Sequence, residues 1–223
     1  LFQLGRAYDK AKRYEEAFAT YRVATEAGST AAMNSTGSMY GQGKGRPENL
    51  TEAQRWYERA AQAGNALAMA NLAFSYEQGR GGPENLPEAL RWYEKAAQAG
   101  NSAAMFNLGI MLMNGRGGAP SPADARRWFE KAAQAGSPDA MFNFGLALEQ
   151  GLGGPKKLAD ARRWYEKGAQ AGHAVAMNNL AVMLAKGSGG PQDKAGARRW
   201  WEKAVEAGSD DANHNLKLML SGR

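Results

Sequence analysis

A single period runs through this chain. Tryptophan recurs at Trp56, Trp92, Trp128, Trp164 and Trp200, each step being 36 residues. Glycine recurs in the same register at Gly28, Gly64, Gly100, Gly136, Gly172 and Gly208. Self-similarity at a fixed period of this length marks a repeat architecture, in which one supersecondary unit stacks on copies of itself. Each unit holds two apolar-periodic segments separated by a Gly/Pro-rich stretch, and the second segment closes on Ala-Gly.

The first segment, here called helix A, is typified by Ala68-Met69-Ala70-Asn71-Leu72-Ala73-Phe74-Ser75-Tyr76. Met69, Leu72, Ala73 and Tyr76 fall on one stripe at helical spacing. The stripe returns as Met105, Leu108, Gly109 and Leu112, and again as Met177, Leu180, Ala181 and Leu184. Glycine or alanine in the third place predicts a close approach by another backbone. The connectors Gly79-Arg80-Gly81-Gly82-Pro83 and Gly151-Leu152-Gly153-Gly154-Pro155 supply left-handed backbone angles and a proline that ends the helix. The second segment, helix B, follows as Glu88-Ala89-Leu90-Arg91-Trp92-Tyr93-Glu94-Lys95-Ala96-Ala97. Its alanines predict a seat against helix A, with the aromatic pair filling the space between units.

A helix pair of this kind buries its apolar faces only by stacking on further pairs. The predicted fold is therefore all-α: a single solenoid over 1–223, of about six helix pairs and a C-terminal capping helix. A short pair occupies 1–28; 36-residue repeats occupy 29–64, 65–100, 101–136, 137–172 and 173–208; the capping helix occupies 209–223. The first pair is shorter, and its connector Asp9-Lys10-Ala11-Lys12 has lost the glycines.

Composition narrows the functions. Cysteine is absent and histidine occurs twice, as His173 and His214, which excludes disulfides, thiolate metal sites and cysteine nucleophiles. No apolar run approaches a membrane span. The start, Leu1-Phe2-Gln3-Leu4-Gly5, lacks a basic region followed by an apolar stretch and lacks an initiator Met, so it reads as a trimmed chain without a visible signal peptide. With 28 Lys+Arg against 22 Asp+Glu the net charge is +6, which permits acidic partners without identifying them.

The phrase Ala104-Met105-Phe106-Asn107-Leu108-Gly109, followed by Gly115-Arg116-Gly117 and by Ala125-Arg126-Arg127-Trp128-Phe129-Glu130-Lys131-Ala132-Ala133-Gln134-Ala135-Gly136, resembles a Sel1-like repeat. The likeness covers nearly the whole chain, and the short first pair is more similar to a tetratricopeptide repeat. The resemblance implies a right-handed α/α superhelix with helix A lining the concave side, and adaptor or scaffold roles in bacteria. It also implies an alternative, since some members are toxin-immunity proteins that block secreted lipases. A cysteine-rich branch binds penicillin, so a β-lactam-binding or hydrolysing enzyme is a remote further alternative. The missing cysteines separate this chain from that branch.

Comparing units within the chain divides packing from binding. Positions repeated in every unit answer the shared packing problem, so the five tryptophans are read as core rather than as an exposed aromatic ladder. A second helix A stripe lies two before, two after and five after the core residue, on a face about 140° from the core stripe. Along it stand Phe106 and Phe142; Phe74, Ile110 and Leu146; Glu77, Met113 and Glu149. An apolar face of this kind is a candidate partner surface. Beside it Asn71, Asn107, Asn143, Asn179 and Asn215 recur. A carboxamide both donates and accepts, so such a row suits either a peptide backbone or a structural bond to a neighbouring loop. The predicted partner-binding set is Phe74, Phe106, Ile110, Met113, Phe142, Leu146, Asn107, Asn143, Glu77 and Glu149.

Other chemistries fit poorly. Arg126-Arg127, Arg162-Arg163 and Arg198-Arg199 lie within helical reach of Glu130, Glu166 and Glu202, which predicts a compensated, solvated face and not a nucleic-acid stripe. Gly41-Gln42-Gly43-Lys44-Gly45-Arg46 ends a helix and matches no phosphate loop. Carboxylates, arginines and asparagines recur with the fold, whereas chemistry needs a constellation that occurs once. No nucleophile elbow, zinc signature or carboxylate pair stands out. The expectation is a non-enzymatic module with no catalytic residue, cofactor or metal. It is expected to bind a protein or peptide, not nucleic acid or membrane, as a monomer in the bacterial periplasm or cytoplasm, the periplasm favoured.

Overall fold

The computed structural model describes residues 1–221, and among them thirteen α-helices and no strands. A short pair comes first, α1 (Phe2–Lys10) and α2 (Tyr14–Glu26). Five A/B pairs follow: α3 (Thr30–Gln42) with α4 (Leu50–Gln62), α5 (Ala66–Glu77) with α6 (Leu86–Gln98), α7 (Ser102–Asn114) with α8 (Pro122–Gln134), α9 (Pro138–Gln150) with α10 (Leu158–Gln170), and α11 (Ala174–Lys186) with α12 (Lys194–Glu206). The last helix, α13 (Asp210–Leu220), has the register of an A helix. Two compact units divide the chain. One comprises Leu1–Met111 with Gly115–Ala119; the other comprises Leu112–Asn114 and the chain from Pro120 onward. In the first unit α3 packs on α4 and α5 on α6, while α4 also packs on α5. In the second, α9 packs on α10 and α11 on α12, with α8 against α9 and α10 against α11. No helix is long and apolar enough to cross a membrane.

The start of every A helix is built the same way. Ser29, Asn65, Asn101, Ser137, His173 and Ser209 each accept, at 2.8–3.3 Å, the backbone N–H three residues on. That satisfies one of the donors a helix N-terminus leaves unpaired. The donor is always an alanine (Ala32, Ala68, Ala104, Ala140, Ala176, Ala212), and each is fully buried. In the first pair Lys12 takes the left-handed turn at φ 59° that glycine takes elsewhere.

The aromatic pair of helix B divides its labour differently from the sequence expectation. In four of the five repeats the second member is a core residue: Tyr93 and Tyr165 are 0% exposed, Phe129 2% and Trp201 5%, while Tyr57 is half-buried. Of the periodic tryptophans only Trp92 is buried; Trp56, Trp128, Trp164 and Trp200 are half-buried. Each lies under a cation three residues on, Arg59, Lys95, Lys131, Lys167 or Lys203, at 4.1–4.9 Å from the ring centroid. Burying the flat body of an indole under an alkyl stem while the ammonium stays wet suits a position at the edge of the core.

The small residue of helix A also has a more specific reason than backbone approach. A Cβ on Gly145 would stand 2.8 Å from the Tyr165 ring, and one on Gly37 2.8 Å from that of Tyr57. The ring of helix B lies directly on the A backbone there. The second connector glycine answers a different contact. A Cβ on Gly153 would meet the Pro122 carbonyl oxygen at 2.1 Å, because each connector seats on the first turn of the preceding B helix.

The arginine pairs split likewise. Arg127 and Arg163 pair with Asp124 and Asp160, one turn before them and not with Glu130 or Glu166. Their neighbours Arg126 and Arg162 reach the next connector, donating to the carbonyls of Pro155 and Pro191 at 3.1 and 2.9 Å. Arg198 has no such connector to reach and pairs with Glu202.

Candidate binding face of the A helices

The expected binding residues are dispersed over three A helices, α5, α7 and α9, and the structure ties several of them to their own chain. In the first unit Tyr93 of α6 donates its hydroxyl to Glu77 Oε2 of α5 at 2.8 Å. The Asn107 carboxamide of α7 lies near that same hydroxyl. Arg116, in the connector after α7, donates to Glu77 Oε1 at 2.5 Å. In the second unit Tyr165 donates to Glu149 Oε2 at 2.7 Å, and the Asn179 amide lies near the Tyr165 hydroxyl. Burial, reinforced by the adjacent carboxylate, pushes the hydroxyls of Tyr93 and Tyr165 far above the usual phenol range, so each remains a donor.

Most of the asparagine row therefore faces the neighbouring repeat, Asn107 and Asn179 toward a helix B tyrosine and Asn71 and Asn215 toward an asparagine of the preceding A helix, where the sequence reading expected a loop. Asn71 donates to Asn34 Oδ1 at 2.9 Å, and Asn215 to Asn178 Oδ1 at 2.9 Å. Asn143 is the exception: it turns to the Asp139 carbonyl of its own helix at 2.8 Å. The reason is chemical. The helix B ring in the repeat before it is Phe129, which offers no hydroxyl, and the residue in the Glu77 register is Met113.

The apolar residues differ in how available they are. Phe74 is 43% exposed and lines a cavity of about 200 Å³ with Ser38, Tyr57, Asn71 and Arg80. Phe106, Ile110 and Met113 are half-buried. Phe142 is half-buried too, held between Tyr165, 6.0 Å away, and His173, stacked at 5.0 Å and 15°. Leu146 and Glu149 line a cavity of about 440 Å³ with Gln150, Lys156, Asn179 and Val182. A larger hollow of about 920 Å³ lies at the start of the chain, lined by Arg6, Asp9, Lys10, Asn34 and Lys44 among others.

Sequence reasoning missed Tyr93, Tyr165, Arg116 and His173. A signal existed for the tyrosines. Glutamate stands five after the core residue in the repeats with Tyr93 and Tyr165, while Met113 accompanies Phe129 and Ala185 accompanies Trp201. His173 is a helix cap through Nδ1, with Nε2 at 3.3 Å from Asp139, and it replaces the serine or asparagine of the other units. Among the described residues no group of three or more His, Cys, Asp or Glu is placed to hold a metal.

Hairpins of this construction, repeated in tandem, define an α-hairpin repeat protein whose A helices line pockets in each unit. The chain belongs to the Sel1 repeat family: five consecutive segments, 30–65, 66–101, 102–137, 138–173 and 174–209, match the Sel1 repeat. It is similar to a Sel1 repeat protein from Oxalobacter formigenes, with 33% identity and a TM-score of 0.87 over 98% of this chain and 87% of that one. It is also similar to c5321, a protective antigen present in uropathogenic Escherichia coli strains, with 29% identity and a TM-score of 0.89. That match covers 98% of this chain but 49% of c5321, so the chain spans about half the length of that protein. The immunity protein Pa5087 from Pseudomonas aeruginosa shares the fold alone, at 15% identity and a TM-score of 0.53 over 94% of this chain and 83% of that one. Comparison with curated proteins gives no match.

Proposed function

We propose that this protein is a non-enzymatic interaction scaffold that holds a protein or peptide partner along its A-helix face. The observation that carries the reading is Phe74, a large aromatic 43% exposed at the mouth of a cavity, in the same helix register as Leu146 and Val182, which line a cavity of the second unit. An aromatic exposed at the rim of a recess is the kind of side chain that a partner buries as an anchor. Sel1 repeat proteins commonly serve as protein–protein interaction scaffolds, which agrees with it. The proposed face includes Phe74, Phe106, Ile110, Met113, Phe142 and Leu146, with Asn107, Asn143, Glu77 and Glu149 shaping it. The inhibitor alternative gains nothing from Pa5087, because a likeness at 15% identity extends to the fold only.

A displayed library of random 12-residue peptides, selected on the whole chain, tests the reading. Peptides seated on the first unit are expected to lose about fivefold to tenfold in affinity to Phe74→Ala, and those seated on the second to Leu146→Ala, at unchanged circular dichroism, as for a modest anchor residue. Selected peptides that bind both variants as tightly as the parent would overturn it.

A further inference from the structure

The two Glu–Tyr–Asn sets of this chain are alike except in one partner. Glu77 receives Tyr93 on one oxygen and Arg116 on the other, and its side chain is left 11% exposed. Glu149 receives Tyr165 on Oε2 at 2.7 Å. The residue 39 positions on, which is Arg116 for Glu77, is Ser188 for Glu149. Among the described residues Glu149 Oε1 takes no hydrogen bond and Glu149 joins no ion pair. The repeat has kept the acceptor and lost its cation.

The hydrogen bonds around this carboxylate all run toward it. Trp201 Nε1 and Asn215 Nδ2 donate to Asn178 Oδ1 at 3.1 and 2.9 Å. Asn178 Nδ2 donates to Asn179 Oδ1 at 3.4 Å, the Asn179 amide lies near the Tyr165 hydroxyl, and Tyr165 donates to Glu149. Donors aligned in one direction polarise one another and hold their terminal acceptor in place. A fixed carboxylate with an empty oxygen, at the wall of a cavity, is a preorganised receptor for a cationic donor. The walls are mixed: Leu146 and Val182 are apolar and Asn179 is polar. Lys156 also lines the cavity but makes no ion pair with Glu149.

We propose that this cavity takes an arginine side chain of the protein partner, whose guanidinium gives Glu149 Oε1 the donor that Arg116 gives Glu77. The inference rests on the reading that a partner lies along the A-helix face. Arginine is favoured over lysine because the chain itself uses arginine at the equivalent place. The planar guanidinium is also less strongly hydrated than an ammonium and fits beside apolar walls. A charge-assisted bond to a fixed carboxylate adds direction as well as energy.

The test uses peptides selected from the same display, synthesised with arginine and with citrulline, its neutral isostere, and titrated calorimetrically. The expected peptides share an arginine at one fixed position, and citrulline there weakens binding to the parent about tenfold. Against Glu149→Gln the arginine and citrulline forms should bind alike. Ser188→Arg should fill the site from within, raise the melting temperature, and weaken the arginine peptide while sparing the citrulline one. Peptides that bind in a Leu146-dependent way yet show no arginine preference, or a citrulline penalty that persists in Glu149→Gln, would sink this inference and leave the scaffold reading standing. Failure to select any peptide would remove both.

Discussion

The hydroxyl of Tyr165 donates to Glu149 across 2.7 Å, tying α10 back to its own A helix, α9, sixteen residues earlier in the chain. Tyr93 makes the same bond to Glu77 at 2.8 Å between α6 and α5. Between these two repeats, Met113 and Phe129 occupy the matching places, and neither side chain carries a nitrogen or oxygen. The chain thus contains its own polar and apolar solutions to one packing site, and the apolar one is a natural reference for measuring the bond.

Tyr165→Phe leaves the Glu149 carboxylate short of its donor, and is expected to destabilise the chain by about 1–3 kcal/mol. Pairing it with Glu149→Met copies the Met113/Phe129 arrangement. The double variant should cost less than the sum of the singles, with a coupling of about 1 kcal/mol or more, read by urea denaturation. Strict additivity would mean the bond contributes nothing.

Alkaline stability follows from the same tyrosines. Their folded-state ionisation is pushed above the ordinary phenol value near 10, so above that pH the unfolded chain releases protons that the folded chain keeps. The stabilisation is complete below pH about 10 and is lost as pH rises beyond it, at up to roughly 1.4 kcal/mol per pH unit for each tyrosine. Tyr93→Phe with Tyr165→Phe should flatten the stability profile between about pH 10 and 11.5, whatever it does to stability at pH 7. An unaltered slope would contradict the assignment.

Two glycines separate backbone conformation from close approach. At Gly136 (φ 93°) nothing lies within 4 Å of where a methyl group would stand, whereas at Gly153 (φ 67°) that methyl would meet the Pro122 carbonyl at 2.1 Å. Gly136→Ala should cost only the left-handed penalty of about 1–2 kcal/mol. Gly153→Ala must also push the connector off α8, and is expected to lose at least about 1 kcal/mol more in thermal or urea unfolding, in line with overpacked sites.

His173 can be exchanged for the caps its sister repeats use. His173→Asn keeps an acceptor for the Ala176 N–H, as Asn101 does for Ala104, while His173→Ala removes it. Alanine should therefore be the less stable of the two by about 1 kcal/mol, read from the urea midpoint.

Neighbouring arginines make a second controlled pair. Arg126 staples two repeats through the Pro155 carbonyl, but Arg127 meets Asp124 on a solvated surface, with 77% and 50% of those side chains exposed. In urea unfolding Arg126→Ala should lose about 0.5–1.5 kcal/mol, and Arg127→Ala should stay within about 0.5 kcal/mol of the parent.

The repeat, its phase, the A/B hairpins and the alanine seats of helix B were all legible from the spacing of Trp92, Gly100 and their copies, because stacking copies of one unit imposes one packing problem and hence one residue pattern. Ala89, Ala96 and Ala97 are buried as that pattern requires. The pattern did not say which of Trp92 and Tyr93 points inward: adjacent helical residues lie about 100° apart, and both recur with similar regularity. Nor did it pair Arg126 with a carbonyl 29 residues away, since a periodic sequence records that a position is constrained and not by what.

Local chemistry alone thus fixed an all-α tandem array, because helical periodicity and glycine breaks act over a few residues. Tertiary contact decided the roles of the polar side chains. Glu77 and Glu149 are the same letter in the same register, and only the fold shows that Arg116 completes the first while Ser188 leaves the second with an open oxygen. A hydrogen bond depends on where two distant atoms come to rest, and that position is set by the packing of whole helices.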